Sequence, residues 1–218
     1  MIVCVLLLSY GCVPIRGVKA EKSYREGGFN INKIAIIPFQ KVVADNPFQT
    51  FVRCPISGAF LRTCELTGAP EKTVEEIFVN RIKATRKYII IPPSRVDGIY
   101  KRVSAASFKE MPWQTIKKVG EELGVDGVIV GYVYCYMERK GYTYSVEQPA
   151  SVTFCVHLLD VQDGSVMWSG SFDKTQRSLM ENLLNASSFF RGGGKWVTAR
   201  ELSEEGVAEL LKIFPGLE

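Results

Sequence analysis

Six cysteines, Cys4, Cys12, Cys54, Cys64, Cys135 and Cys155, and a single histidine, His157, offer this chain its most distinctive chemistry. Cys54 and Cys64 bracket "PISGAFLRT", and a disulfide between them would close a loop worth about 2–4 kcal/mol by restricting the unfolded chain. Cys135 and Cys155 lie on two apolar stretches that flank "KGYTYSVEQP". They suit either a cross-strand pair or buried free thiols that behave as small hydrophobes. With Cys4 and Cys12 assigned to the amino-terminal segment, four cysteines allow three pairings; Cys54–Cys64 is the expected one, with Cys135–Cys155 left open against two free thiols. Neither spacing matches a zinc knuckle or a C-x-x-C redox motif, so no metal and no cofactor is expected. His157 sits mid-strand with Asp160 three residues on, and strand alternation puts residues three apart on opposite faces. No catalytic residue follows from that pair. "RGGGKW" (Arg191 to Trp196) has the glycines of a phosphate loop, but Trp196 stands where a Ser or Thr should hold the metal. Its glycines read as a flexible approach to a last helix, with Phe189, Phe190 and Trp196 as aromatics that dock on the core or meet a partner. Tyr132, Tyr134 and Tyr136 alternate along a strand. They form either an aromatic contact surface or the half-buried face of a sheet under a helix.

Cys12 raises a different chemistry. Ile2 to Leu8 is an uninterrupted apolar run, too short to span a bilayer and about the length of a signal-peptide core. Leu8-Ser9-Tyr10-Gly11-Cys12 resembles the lipid-attachment signal of bacterial lipoproteins, with small Gly11 before the modified cysteine. Tyr10 lengthens the usual spacing, and the lack of Lys or Arg ahead of the run points to a start codon further upstream. The expectation is a signal peptide over residues 1–11, lipidation at Cys12 and a flexible tether over 12–32. Val13 after the cysteine, rather than Asp, resembles lipoproteins sent on to an outer membrane.

The elements that must position these residues follow from periodicity. "KIAIIPFQ" (Lys33 to Gln40) is a buried strand ended by Pro38. Residues 41–69, with Pro47, Pro55 and Gly58, read as an irregular insertion. Val74, Ile77, Phe78 and Ile82 give an amphipathic helix, "YIIIPP" a second strand, and "SRVDGIYKRVSAAS" and "PWQTIKKVGEELG" two helices, the latter opened by Pro112 and closed by Gly124. "VDGVIVGYVYCYMER", "SVTFCVHLLDV" and "SVMWSGSFD" are strands, the last two joined at Gln162-Asp163-Gly164. Thr198 and Glu201 form a capping box for a final helix stopped by Pro215-Gly216. The expected fold is α+β: a mixed sheet covered by helices, in the order strand, helix, strand, helices, three antiparallel strands, helix, as one domain over 33–218.

A net charge of +4 scattered in pairs excludes a nucleic-acid surface, and a hydrophobic share of 46% excludes a disordered chain. "KIAIIPF", "VGEELGVDGVIVGYV" and "SVTFCVHLLDVQDGSVMWSGS" together resemble a group of bacterial envelope lipoproteins with a TolB-amino-terminal-like domain, a group that includes the curli secretion lipoprotein CsgG and the penicillin-binding-protein activator LpoB. The resemblance runs from about Lys33 to Asp173. It implies a periplasmic module, lipid-anchored at the outer membrane, that binds an envelope protein partner in secretion or cell-wall assembly and is compatible with a homo-oligomer. The short "KGYTYSVEQP" connection argues against a pore of extended hairpins. An envelope-polymer hydrolase and a soluble cytosolic interaction module are the competing classes.

Overall fold

The computed structural model describes residues 19–21, 31–46, 48–107, 109–142, 146–176 and 196–217. Cys12, Phe189, Phe190 and the glycines of "RGGGKW" lie outside them.

Eleven strands, β1 (Lys19–Glu21), β2 (Lys33–Ile36), β3 (Gln40–Lys41), β4 (Phe51–Arg53), β5 (Phe60–Arg62), β6 (Ile89–Ile91), β7 (Gly127–Met137), β8 (Lys140–Gly141), β9 (Val146–Gln148), β10 (Ser151–Asp160) and β11 (Val166–Thr175), are found among the described residues together with four helices, α1 (Pro70–Ala84), α2 (Pro93–Ala106), α3 (Pro112–Leu123) and α4 (Ala199–Lys212). The main sheet runs β1-β11-β10-β7-β2-β6, with β3 also on β7. Its β1/β11, β10/β11 and β7/β10 pairs are antiparallel, while β2 pairs in parallel with β6 and β7. The fold is therefore α+β with a mixed sheet, as the periodicity requires.

Local sequence sets the ends of the helices. Pro70, Pro93 and Pro112 stand at the first turn of α1, α2 and α3, where a missing N–H costs nothing. Thr198 and Glu201 close the capping box of α4. Gly124 ends α3 in the left-handed region at φ 56°, and Asp126 just beyond it accepts the Asn32 and Lys33 amides at 2.9 and 2.8 Å, docking β2 beside β7. Gly120 lets α3 lie close to the sheet: a Cβ there would stand 2.4 Å from Val161 and 2.8 Å from Val128.

Both faces of the sheet are buried, which is why β7 and β10 read as nearly continuous apolar runs. Ile34, Ile36, Ile129, Phe154, Trp168 and Phe172 of the sheet pack with Phe78 of α1 and with Phe214 just after α4. The opposite face packs Val96 of α2 and Val119 of α3 against Val128, Val130, Tyr132 and Tyr134. Among the described residues, no helix is long and apolar enough to cross a membrane.

Two expectations change. The insertion over 41–69 is not irregular throughout: β3 joins the main sheet, and β4 and β5 form their own antiparallel pair, Phe51 opposite Arg62 and Arg53 opposite Phe60. Within the expected tether, Lys19–Glu21 forms an edge strand on β11, with Lys19 opposite Ser171; its backbone finds a ladder partner that a charged, apolar-poor sequence does not announce.

Candidate functional site

The β4–β5 hairpin covers the end of the α2/α3 face of the sheet that those helices leave open, and the chemistry gathers beneath it. Strand alternation on β10 sends Ser151, Thr153, Cys155 and His157 toward the hairpin, because residues two apart share a face. All four are buried. Ser169, the cross-strand partner of His157, and Asp173, the partner of Thr153, come from β11.

The expected Cys54–Cys64 disulfide does not form, and neither does the alternative Cys135–Cys155. Cys64 is bonded to Cys135, and Cys54 and Cys155 are free and buried. The hairpin explains why Cys54 cannot reach Cys64. Cys54 sits at its turn, where its amide bonds Ala59 O at 2.8 Å and its carbonyl accepts from Gly58 N at 3.0 Å. Cys64 lies at the far end, beyond the Thr63-to-Thr50 bond. Cys135 cannot reach Cys155 because Cys135 is opposite Thr153, and Cys155 is opposite Tyr132.

A β-bulge decides the fate of the tyrosines. The β7–β10 register shifts between Thr153 and Phe154, so that Val133 and Cys135 are paired and Tyr134 is the extra residue. An extra residue reverses the alternation beyond it. Tyr132, Tyr134 and Cys135 thus face the hairpin side, while Tyr136 joins the opposite core with Val133. All three tyrosines are buried. The contact-surface reading of them is corrected to core packing, and burial pushes the phenols of Tyr132 and Tyr134 well above their ordinary value. Trp196 is half-buried just ahead of α4.

Two polar groups result. At the base of the hairpin, Arg62 donates from Nε and Nη2 to Asp173 Oδ1 at 2.9 and 2.7 Å, and from Nη2 to Ser151 and Thr153 at 2.8 and 3.2 Å. At its tip, Cys54 Sγ and Cys155 Sγ each lie 3.2 Å from His157 Nε2 and 3.7 Å from one another. His157 Nδ1 is 2.8 Å from Ser169 Oγ, and the Cys155 thiol points to Tyr134 Oη at 3.8 Å. The hydrogen bond from Cys155 acts against desolvation, and with His157 it holds the Cys54 thiol far below its usual range. Burial pushes Cys155 the other way.

A thiolate beside an imidazole can act as a nucleophile, but Cys54, Cys155 and His157 are 2, 1 and 0% exposed. No substrate reaches them in this conformation. What remains is chemistry that needs no access: bonding the hairpin to the sheet, or holding an ion. Sequence reading missed this cluster because Cys54 and Cys155 are separated by 101 residues. The Cys155-x-His157 spacing was the available signal, since it puts both ligating side chains on one strand face.

No family model matches the chain, and no curated protein matches it. Solved structures similar to it include the PelC dodecamer from Paraburkholderia phytofirmans, 13% identical over 89% of this chain and 94% of that one with a TM-score of 0.47. Lipoprotein GNA1162 from Neisseria meningitidis is 14% identical over 75% of this chain and 99% of that one, TM-score 0.41. The LpoB C-terminal domain from Escherichia coli is 14% identical over 68% of this chain and 87% of that one, TM-score 0.38.

Proposed function

We propose that this chain is an envelope lipoprotein, anchored through Cys12 on the periplasmic face of an outer membrane, whose domain is a non-enzymatic protein-binding or assembly factor in secretion or cell-wall synthesis. The observation that carries the reading is the insertion: a disulfide, Cys64–Cys135, fastens it to the central strand β7, and it presents Phe48, Phe60 and Val43 to solvent at 89, 72 and 68% exposure. Disulfides persist in oxidising compartments and are rare in the cytosol, which favours the envelope over a cytosolic module. Large aromatic side chains held outward on a fixed scaffold suit a partner interface, where such residues are enriched. A hydrolase is disfavoured because Cys54 and His157, which pair a thiol with an imidazole, are closed to solvent.

The test uses the full chain in cells. A photo-crosslinking amino acid at Phe60 should capture a discrete envelope protein, and one at Lys101 on the solvent face of α2 should not. Palmitate should label the wild type and not Cys12→Ala. Equal crosslinking from both sites, or labelling that survives Cys12→Ala, rejects the reading.

A further inference from the structure

We propose that Cys54, Cys155 and His157 form a zinc site that clamps the tip of the β4–β5 hairpin to the sheet. The three donor atoms all lie within 4.8 Å of one another. An ion with bonds of about 2.3 Å to sulfur and about 2.0 Å to nitrogen, set among donors 3.7 Å apart between sulfurs and 3.2 Å between each sulfur and Nε2, subtends angles of about 107° and about 95°. Those are near tetrahedral values and well short of the 120° of a planar three-coordinate ion.

Charge points the same way. Two thiolates and a neutral imidazole around a divalent ion make a neutral unit, which is the condition for placing ionised sulfur in a site this dry. The hydrogen bond of His157 completes the argument. A metal-bound histidine donates its other ring N–H to a fixed acceptor, which sets the tautomer. Ser169 Oγ stands 2.8 Å from Nδ1, directly across the β10/β11 ladder, and so leaves the Nε2 lone pair directed at the two sulfurs. A Cys2His set takes its fourth ligand from oxygen, and the hydroxyl of buried Tyr134 stands 3.8 Å from Cys155 Sγ.

A second disulfide is the competing occupant. Closing Cys54 onto Cys155 to an S–S bond of about 2.0 Å would consume both partners of His157 Nε2 and strand a ring nitrogen at a residue with 0% exposure, a cost that the metal-bound arrangement avoids. With zinc in place the hairpin is held at both ends, by the Cys64–Cys135 disulfide at one and the ion at the other.

The full chain, exported to the envelope and purified without chelator, is weighed intact by native mass spectrometry. The expected result is one zinc per chain, one disulfide and two thiols that react only after denaturation. In competition with a chromophoric chelator, Ser169→Ala should weaken zinc about tenfold, the usual effect of removing a ligand's outer partner, and His157→Ala should weaken it further. Where a variant does not fold, cobalt(II) replacing zinc in the wild type decides, through the intense visible bands of a tetrahedral thiolate site. A chain isolated with two disulfides and no metal, loading with copper(I) to the exclusion of zinc, unchanged zinc affinity in folded His157→Ala, or cobalt bands of an octahedral oxygen site each overturn the proposal.

Discussion

Removing the Cys64–Cys135 bridge by a Cys64→Ala, Cys135→Ala double substitution should cost this domain about 4 kcal/mol. The bridged residues are 71 apart, and the loop-closure entropy for a ring of that size is about 15 cal/mol/K, or about 4.4 kcal/mol at 25 °C. Alanine at both positions avoids a lone thiol and an unpaired hydroxyl on the buried strand. The consequence is local as well as global. Without the bridge, the hairpin is held at its base by the Arg62–Asp173 ion pair and toward its tip by partly buried Val52 and Ile56 around Leu61 and Cys54. In urea the midpoint should fall by about 2 M, taking a denaturant slope of about 2 kcal/mol/M, and the wild type in reductant should fall with it. Limited proteolysis should cut the double variant between residues 42 and 63 before any helix is lost. A variant whose midpoint lies within about 0.5 M of the oxidised wild type would refute the reasoning.

Arg62→Met leaves Asp173 half-buried without its guanidinium, and should cost about 2 kcal/mol in chemical denaturation; pairing it with Asp173→Asn should recover part of the loss, and strict additivity in that cycle would remove the coupling. Gly120→Ala drives a methyl into Val161 and Val128 and should destabilise by about 1–3 kcal/mol, seen as a lower Tm. Glu75 accepts the Phe39 amide at 2.7 Å, and burial raises its pKa above the ordinary carboxylate value. The folded state therefore holds its proton more tightly than the unfolded one, and this group's contribution to stability is lost as pH rises from the ordinary value through the raised one. Glu75→Gln keeps an acceptor and removes the charge, so it should flatten that decline, and an unchanged stability profile over pH 4–7 would contradict the assignment.

Helices and central strands were legible because each carries its own punctuation. Pro112 at the start of α3, the Thr198–Glu201 box and the Gly164 turn are local devices, and all act where the sequence placed them. The cysteine pairing was not legible, since nearness in sequence favoured Cys54 with Cys64, whereas the hairpin register holds them at opposite ends. Alternation misjudged the tyrosines for a related reason: one extra residue at Tyr134 reverses the strand's faces, and no residue type around it marks a bulge. The thiol–imidazole cluster depends on β4–β5 folding back over β10, a contact between elements about a hundred residues apart that periodicity cannot express.

The edge strand β1 sets a limit on geometry. Lys19 follows Cys12 by seven positions, and a fully extended chain of that length reaches about 25 Å. Under the lipidation of Cys12 proposed above, the β1–β11 margin of the domain would ride within about 25 Å of the lipid headgroups. The molecule would then work as a low bracket on the bilayer surface instead of a probe that ranges away from it, and its partner would have to approach close to the membrane or be embedded in it.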